Sequence, residues 1–162
     1  PNTRYGRIRT TRHASGWEAK IRVRQQRHPK LYWVDCGLVR ATKKNLGDVS
    51  QEERGALLEG FVAMMLREYV DDEGFQTWPL GDTNVEVEFV ITRRKSLAAV
   101  EVKSATRLRD SDLSGLRSLK DVANLKRRIL IYCGSRALCT DDGIDVLPLA
   151  DFVKVLESDS PI

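Results

Sequence analysis

Residues 85–104 read VEVEFVITRRKSLAAVEVKS, two runs of alternating residues joined by a polar segment. A period of two marks a β-strand with two unlike faces. In the first run Val85, Val87, Phe89 and Ile91 share one face, and Glu86, Glu88 and Val90 the other. In the second, Val100 and Val102 oppose Glu101 and Lys103. The spacing predicts strands over 85–92 and 98–104, with TRRKS (92–96) as the turn. Glu86, Glu88, Glu101 and Lys103 then lie on one side of a hairpin. A half-buried strand face normally avoids charge, because an unpaired carboxylate there costs several kcal/mol. Either this face looks at water, or its charges hold something.

The flanking sequence sets the fold class. Leu57, Leu58, Phe61, Val62, Met65, Leu66 and Tyr69 recur at helical spacing, predicting a helix over about 52–70. Ser50 and Glu53 have capping-box spacing at its start. Upstream, residues 1–16 read as irregular, 17–28 alternate like a strand, and KLYWVD (30–35) is a second short strand. Asp35 is placed to cap the turn that opens CGLVRATKK. Downstream, FQTWPL (75–80) reads as a strand and GDTN (81–84) as a turn. Leu113, Leu116, Leu119 and Val122 mark a helix over about 110–124, and RRILIYC (127–133) a buried strand. GIDVLPLADFVKVL closes the chain as a strand and a helix from about 148. From residue 52 the order is α-β-β-β-α-β, then β-α, which defines a mixed α/β layer fold.

Charge divides the chain in two. Residues 1–45 hold 12 Lys and Arg against 2 acids, whereas 46–162 hold 15 against 21. The expected organisation is a basic extension with short strands (1–45) followed by an α/β domain (46–162). Aromatics stand among the arginines of the extension, a composition suited to phosphate-backbone contact, with Arg22 and Arg24 on the alternating stretch. A solvated arm, or one lying against an acidic neighbour, has the same composition. No apolar run approaches the length of a membrane span, and no secretory leader opens the chain. Cys36, Cys133 and Cys139 form no CxxC, and with only His13 and His28 they cannot build a zinc cluster of ordinary spacing. Reduced thiols in a cytoplasmic protein are expected.

The hairpin carries the one chemical constellation. A carboxylate on one strand and Glu-x-Lys on the next supply oxygen ligands for a hard cation such as Mg²⁺ or Mn²⁺. The lysine is placed to orient a water or to stabilise an anionic transition state. A cross-strand ion pair on a wet face would use the same residues. The hairpin-tip cations Arg93, Arg94 and Lys95 could touch nucleic acid or simply keep the turn polar.

Several stretches together resemble a known family: HPKLYWVDCGLVRA, RGALLEGFVAMML, VEVEFVI, AAVEVKS, ILIYCG and GIDVLPLADF, spanning roughly residues 28–156. In this order and spacing they resemble the PD-(D/E)XK nuclease-like domain of unknown function found at the C-terminus of predicted prokaryotic AAA-type P-loop ATPases. The resemblance implies a restriction-endonuclease-like α/β core. It implies Glu59, Glu88 and Glu101 as metal ligands, with Glu88, Glu101 and Lys103 as the catalytic set and Glu86 auxiliary. Where the family usually has Asp, this chain has Glu88, whose extra methylene moves the carboxylate outward by roughly 1.5 Å. It also has Asn84 where the family often has Gly.

The implied function is a Mg²⁺- or Mn²⁺-dependent DNA endonuclease-like module, joined to an N-terminal P-loop ATPase domain of the same polypeptide. This chain has no phosphate-cradling Gly-rich Lys-Ser/Thr motif of its own, and it opens on Pro1, so that domain is expected upstream. A second reading is a catalytically inactive domain that binds DNA or a partner and regulates the ATPase. A third is an unrelated α/β interaction domain with a merely solvated charged face.

Overall fold

The computed structural model describes residues 11–13, 15–16, 31–33, 35–44, 47–69, 75–79 and 86–158. The strand expected over 17–28, with Arg22 and Arg24, and the turn at 81–84 lie outside them. In chain order the elements are β1 (Thr11–His13), β2 (Ser15–Gly16), β3 (Leu31–Trp33), α1 (Cys36–Thr42), α2 (Gln51–Tyr69), β4 (Phe75–Pro79), β5 (Glu86–Arg93) and β6 (Ser96–Lys103). A 3₁₀ turn (Asp110–Leu113) leads into α3 (Ser114–Ser118), followed by β7 (Leu125–Tyr132), β8 (Leu138–Cys139), β9 (Asp145–Pro148) and α4 (Leu149–Glu157).

One mixed sheet runs in the order β2-β4-β5-β6-β7-β9-β8. Its body is the five strands from β4 to β9, with a two-residue strand at either side. β4, β5 and β6 are antiparallel neighbours, while β6, β7 and β9 run parallel. β1 and β3 pair separately, antiparallel, Thr11 opposite Trp33. Residues 11–13 and 15–16 are thus strands rather than irregular chain. Their partners come from segments distant in sequence, which a three-residue stretch cannot announce.

Each face of the sheet has its own core. On one, Leu58, Val62 and Leu66 of α2 and Phe152 and Leu156 of α4 pack with Phe89, Ile91, Val100, Val102, Ile129 and Ile131. On the other, Leu113, Leu116 and Leu119 cover Val90, Leu97, Ala99, Leu130 and Val146. β6 and β7 are therefore buried on both sides, as parallel strands between helical layers are.

Local chemistry explains the helix starts. Asp35 accepts a hydrogen bond from Leu38 N at 2.9 Å and caps α1. Ser50 Oγ accepts from Glu53 N at 3.1 Å at the start of α2. A seven-residue helix cannot stand by itself, so Asp35→Ala should cost about 1 kcal/mol in a urea titration; an unchanged midpoint would count against the cap. The helix expected over 110–124 is shorter, ending at Ser118. Ser114 and Ser118 turn their hydroxyls back to the carbonyls of Ser111 and Gly115, at 2.8 and 2.6 Å, a bond that competes with helix continuation. Asn124, at φ 65°, then turns the chain into β7. Leu113, Leu116 and Leu119 are buried as their spacing predicts.

Candidate active site on the β5–β6 strand pair

β5 and β6 are joined by a tight turn at Arg94 and Lys95, shorter than the five residues expected, with Arg94 at φ 57°. Phe89 faces Val100 across the pair, and Arg93 faces Ser96. Alternation from Val100 and Val102, which meet α2, turns Glu101 and Lys103 to the side of the 3₁₀ turn and α3.

The alternation of β5 breaks once. Val87 sits in the core with Val90, not with Phe89 and Ile91 as simple alternation predicts. The cause is a register shift against β4: Gln76 pairs Val90 but Trp78 pairs Val87. One extra residue of β5 is accommodated there, the geometry of a β-bulge. Glu88 lies within it. Bulges of this kind re-aim side chains beside functional sites.

Glu101 is the only charged residue among those described that is buried, at 4% exposure. Lys103 Nζ donates to its Oε1 at 2.6 Å. Burial works against the Lys103 charge, but the hydrogen bond to Glu101 and the charges of Glu101, Glu88 and Asp112 outweigh it, leaving the pKa above the ordinary lysine value. Lys103 is therefore a fixed cation at neutral pH. It can hold an anion or orient a water, but it cannot act as a base. Asp112, on the 3₁₀ turn, belongs to this charge cluster and was not anticipated. Its carboxylate accepts from Arg109 N at 2.7 Å. Only the fold brings it back toward β6.

Glu59 is elsewhere. It lies three and four residues before Val62 and Ala63, on the face of α2 that meets the opposite side of the sheet. Tyr32 donates to Glu59 Oε1 at 2.6 Å, and the Tyr32 ring packs 5.5 Å from that of Phe89. Glu59 lines a cleft of about 630 Å³ with Tyr32, Trp33, Cys36, Ala56 and Gly60. The expected trio of Glu59, Glu88 and Glu101 is thus divided between the two faces of the sheet. Among the described residues no three His, Cys, Asp or Glu side chains form a metal-holding group. Two carboxylates, Glu88 and Glu101, remain. Two carboxylates are too few for a closed protein cage, whereas Mg²⁺ is commonly held by one or two together with waters and substrate phosphates.

The other expected residues fall as follows. The backbone of Glu86 opens β5, and its side chain lies outside the described residues. Arg93, Arg94 and Lys95 are exposed at the far end of the hairpin. Ser96 and Lys103 stand seven positions apart, about 23 Å along a strand. These cations cannot share one phosphate with Lys103. The Cys36 thiol donates to Leu57 O at 3.3 Å, and burial, then the charge of Asp35, push its pKa up. Both effects favour the thiol over the reactive thiolate.

The architecture is that of a mixed α/β protein with a buried glutamate paired to a half-buried lysine on a central strand. The model of a family described as a domain of unknown function, DUF4143, matches residues 54–152, more than half of the 162-residue chain. The chain belongs to that family. No curated protein matches it. Among the described residues, no helix is long and apolar enough to cross a membrane.

Proposed function

We propose that the chain is a PD-(D/E)XK-type nuclease module, hydrolysing phosphodiester bonds of DNA at Glu88, Glu101 and Lys103 and serving an ATPase domain of the same polypeptide. The observation that carries this reading is the Glu101–Lys103 pair: a carboxylate kept at 4% exposure with an ammonium 2.6 Å away, at the carboxyl end of a central strand. Structural ion pairs are usually left at the surface, where they cost less. Here Glu88 and Glu101 would hold Mg²⁺ or Mn²⁺, which would supply Lewis-acid chemistry to the phosphate. Lys103, held protonated, would orient the attacking water and offset charge developing on the phosphoryl oxygens. The division of Glu59 from Glu101 supports a rival reading, a catalytically silent domain that binds DNA or regulates the ATPase.

Calorimetric titration with Mg²⁺ and Mn²⁺, paired with a plasmid-nicking assay, separates them. On the nuclease reading the wild type binds metal and nicks DNA, Glu101→Gln loses metal binding, and Lys103→Met binds metal but nicks at least about 100-fold more slowly. A wild type that neither binds metal nor nicks would leave the rival.

A further inference from the structure

Several arginines of the described chain are tied down: Arg40 to Glu53, Arg117 to Asp110 and Asp142, Arg127 to Asp145, each within 3.1 Å, and Arg128 to the Asp142 carbonyl. Arg54 on α2 and Arg94 at the hairpin tip are exposed and, among the described residues, make no ion pair. Arg107, Arg109 and Arg136 form a further set. All three are exposed, and among the described residues their guanidinium groups make no ion pair. They also share a location. Arg107 and Arg109 lie on the loop that leaves β6 after Lys103, and Arg136 on the loop that leaves β7.

These two loops are neighbours because β6 and β7 are parallel and in register, Lys103 beside Tyr132. Cys133 N donates to Ala105 O at 3.1 Å and ties the loops together. The Tyr132 hydroxyl donates to Arg136 O at 2.7 Å and accepts from Arg136 N at 3.2 Å, fixing the backbone of that arginine. Gly134 makes this return possible, since a Cβ there would collide with the Tyr132 ring. Arg109 is fixed likewise, its N–H held by Asp112. Ordered backbone carrying unpaired guanidinium groups, at the carboxyl ends of parallel strands, is the arrangement that receives phosphates in open α/β sheets.

We infer that Arg107, Arg109 and Arg136 form a phosphate clamp that holds the backbone of duplex DNA against the Glu101–Lys103 pair. The inference rests on the nuclease reading for its substrate, but the clamp is a binding device and acts without metal. Its contacts are with phosphates, so it confers affinity and register rather than sequence choice.

The test is fluorescence anisotropy with a 20-base-pair duplex in EDTA at several salt concentrations. The proteins are wild type, the triple variant Arg107→Gln/Arg109→Gln/Arg136→Gln, and a control with Arg94→Gln/Lys95→Gln at the distant hairpin tip. The substitutions leave the backbone bonds of Arg109 and Arg136 in place, and circular dichroism checks folding. The triple variant is expected to bind at least about tenfold more weakly. Its slope of log affinity against log salt should be shallower by about 2–3, near one per lost contact, while the tip variant changes by less. Equal loss in the tip variant would reduce the effect to net charge and overturn the clamp. So would unchanged binding by the triple variant, or no binding by the wild type. Binding that depends on the arginines without nicking in Mg²⁺ would sink the nuclease reading and leave the clamp. Nicking with no dependence on the arginines would do the reverse.

Discussion

Lys103→Met is expected to lower stability by about 1–3 kcal/mol, less than the full cost of breaking a buried pair because the lysine is one-third exposed. The buried carboxylate of Glu101 then loses the Lys103 ammonium while remaining out of water. The double variant Glu101→Met/Lys103→Met should recover much of the loss, because it removes the stranded charge as well. The pH profile supplies a second readout. Lys103 has a folded-state pKa above the ordinary 10.5. Its contribution is thus fully present below that value and is lost as pH rises through the higher folded-state value. As the pH rises above the ordinary lysine value of 10.5 the wild type should lose more stability than Lys103→Met. Parallel urea-titration profiles for the two proteins would mean that the pair contributes nothing to the fold.

Phe152→Ala should cost about 3–5 kcal/mol, the range for emptying a fully buried aromatic site. Phe152 has no exposed surface, and it joins α4 to the face of the sheet shared with α2. α4 has nine residues, too few to stay helical without that contact. Its docking also carries the bond from the Tyr69 hydroxyl to Leu156 O. The thermal midpoint should fall by roughly 10 °C for a chain of this size. Lys154→Ala on the same helix, at an exposed position, should leave it nearly unchanged. A loss below about 1 kcal/mol for Phe152→Ala would contradict the packing of α4.

Legibility in the sequence followed the range of the interaction that decides each feature. β6 could be read from Ala98 to Lys103 because both of its neighbours respect its period of two. β5 could not be read through Glu88, because the bulge there is set by Gln76 and Trp78 of another strand. Helix α2 announced its start through Ser50 and Glu53, yet the side of the sheet it covers depends on topology. That is why Glu59 was expected beside Glu101 and lies across the sheet from it. Asp112 and Arg136 carry no local signal for the site. The first arrives through a 3₁₀ turn, the second through a strand 29 residues after Lys103 at its end.

The two-residue strand β8 has a consequence for how this molecule behaves among copies of itself. It pairs only Leu138 with Val146 and Cys139 with Asp145, and so covers the outer side of β9. Strand-by-strand growth into aggregates needs a long, flat template of unpaired peptide groups. Here the template is two residues long, and the chain turns away at once through Thr140 and the acidic pair Asp141 and Asp142. A sheet whose central strands are buried over much of their length thus ends, on this side, in a border that gives a passing strand little to bind.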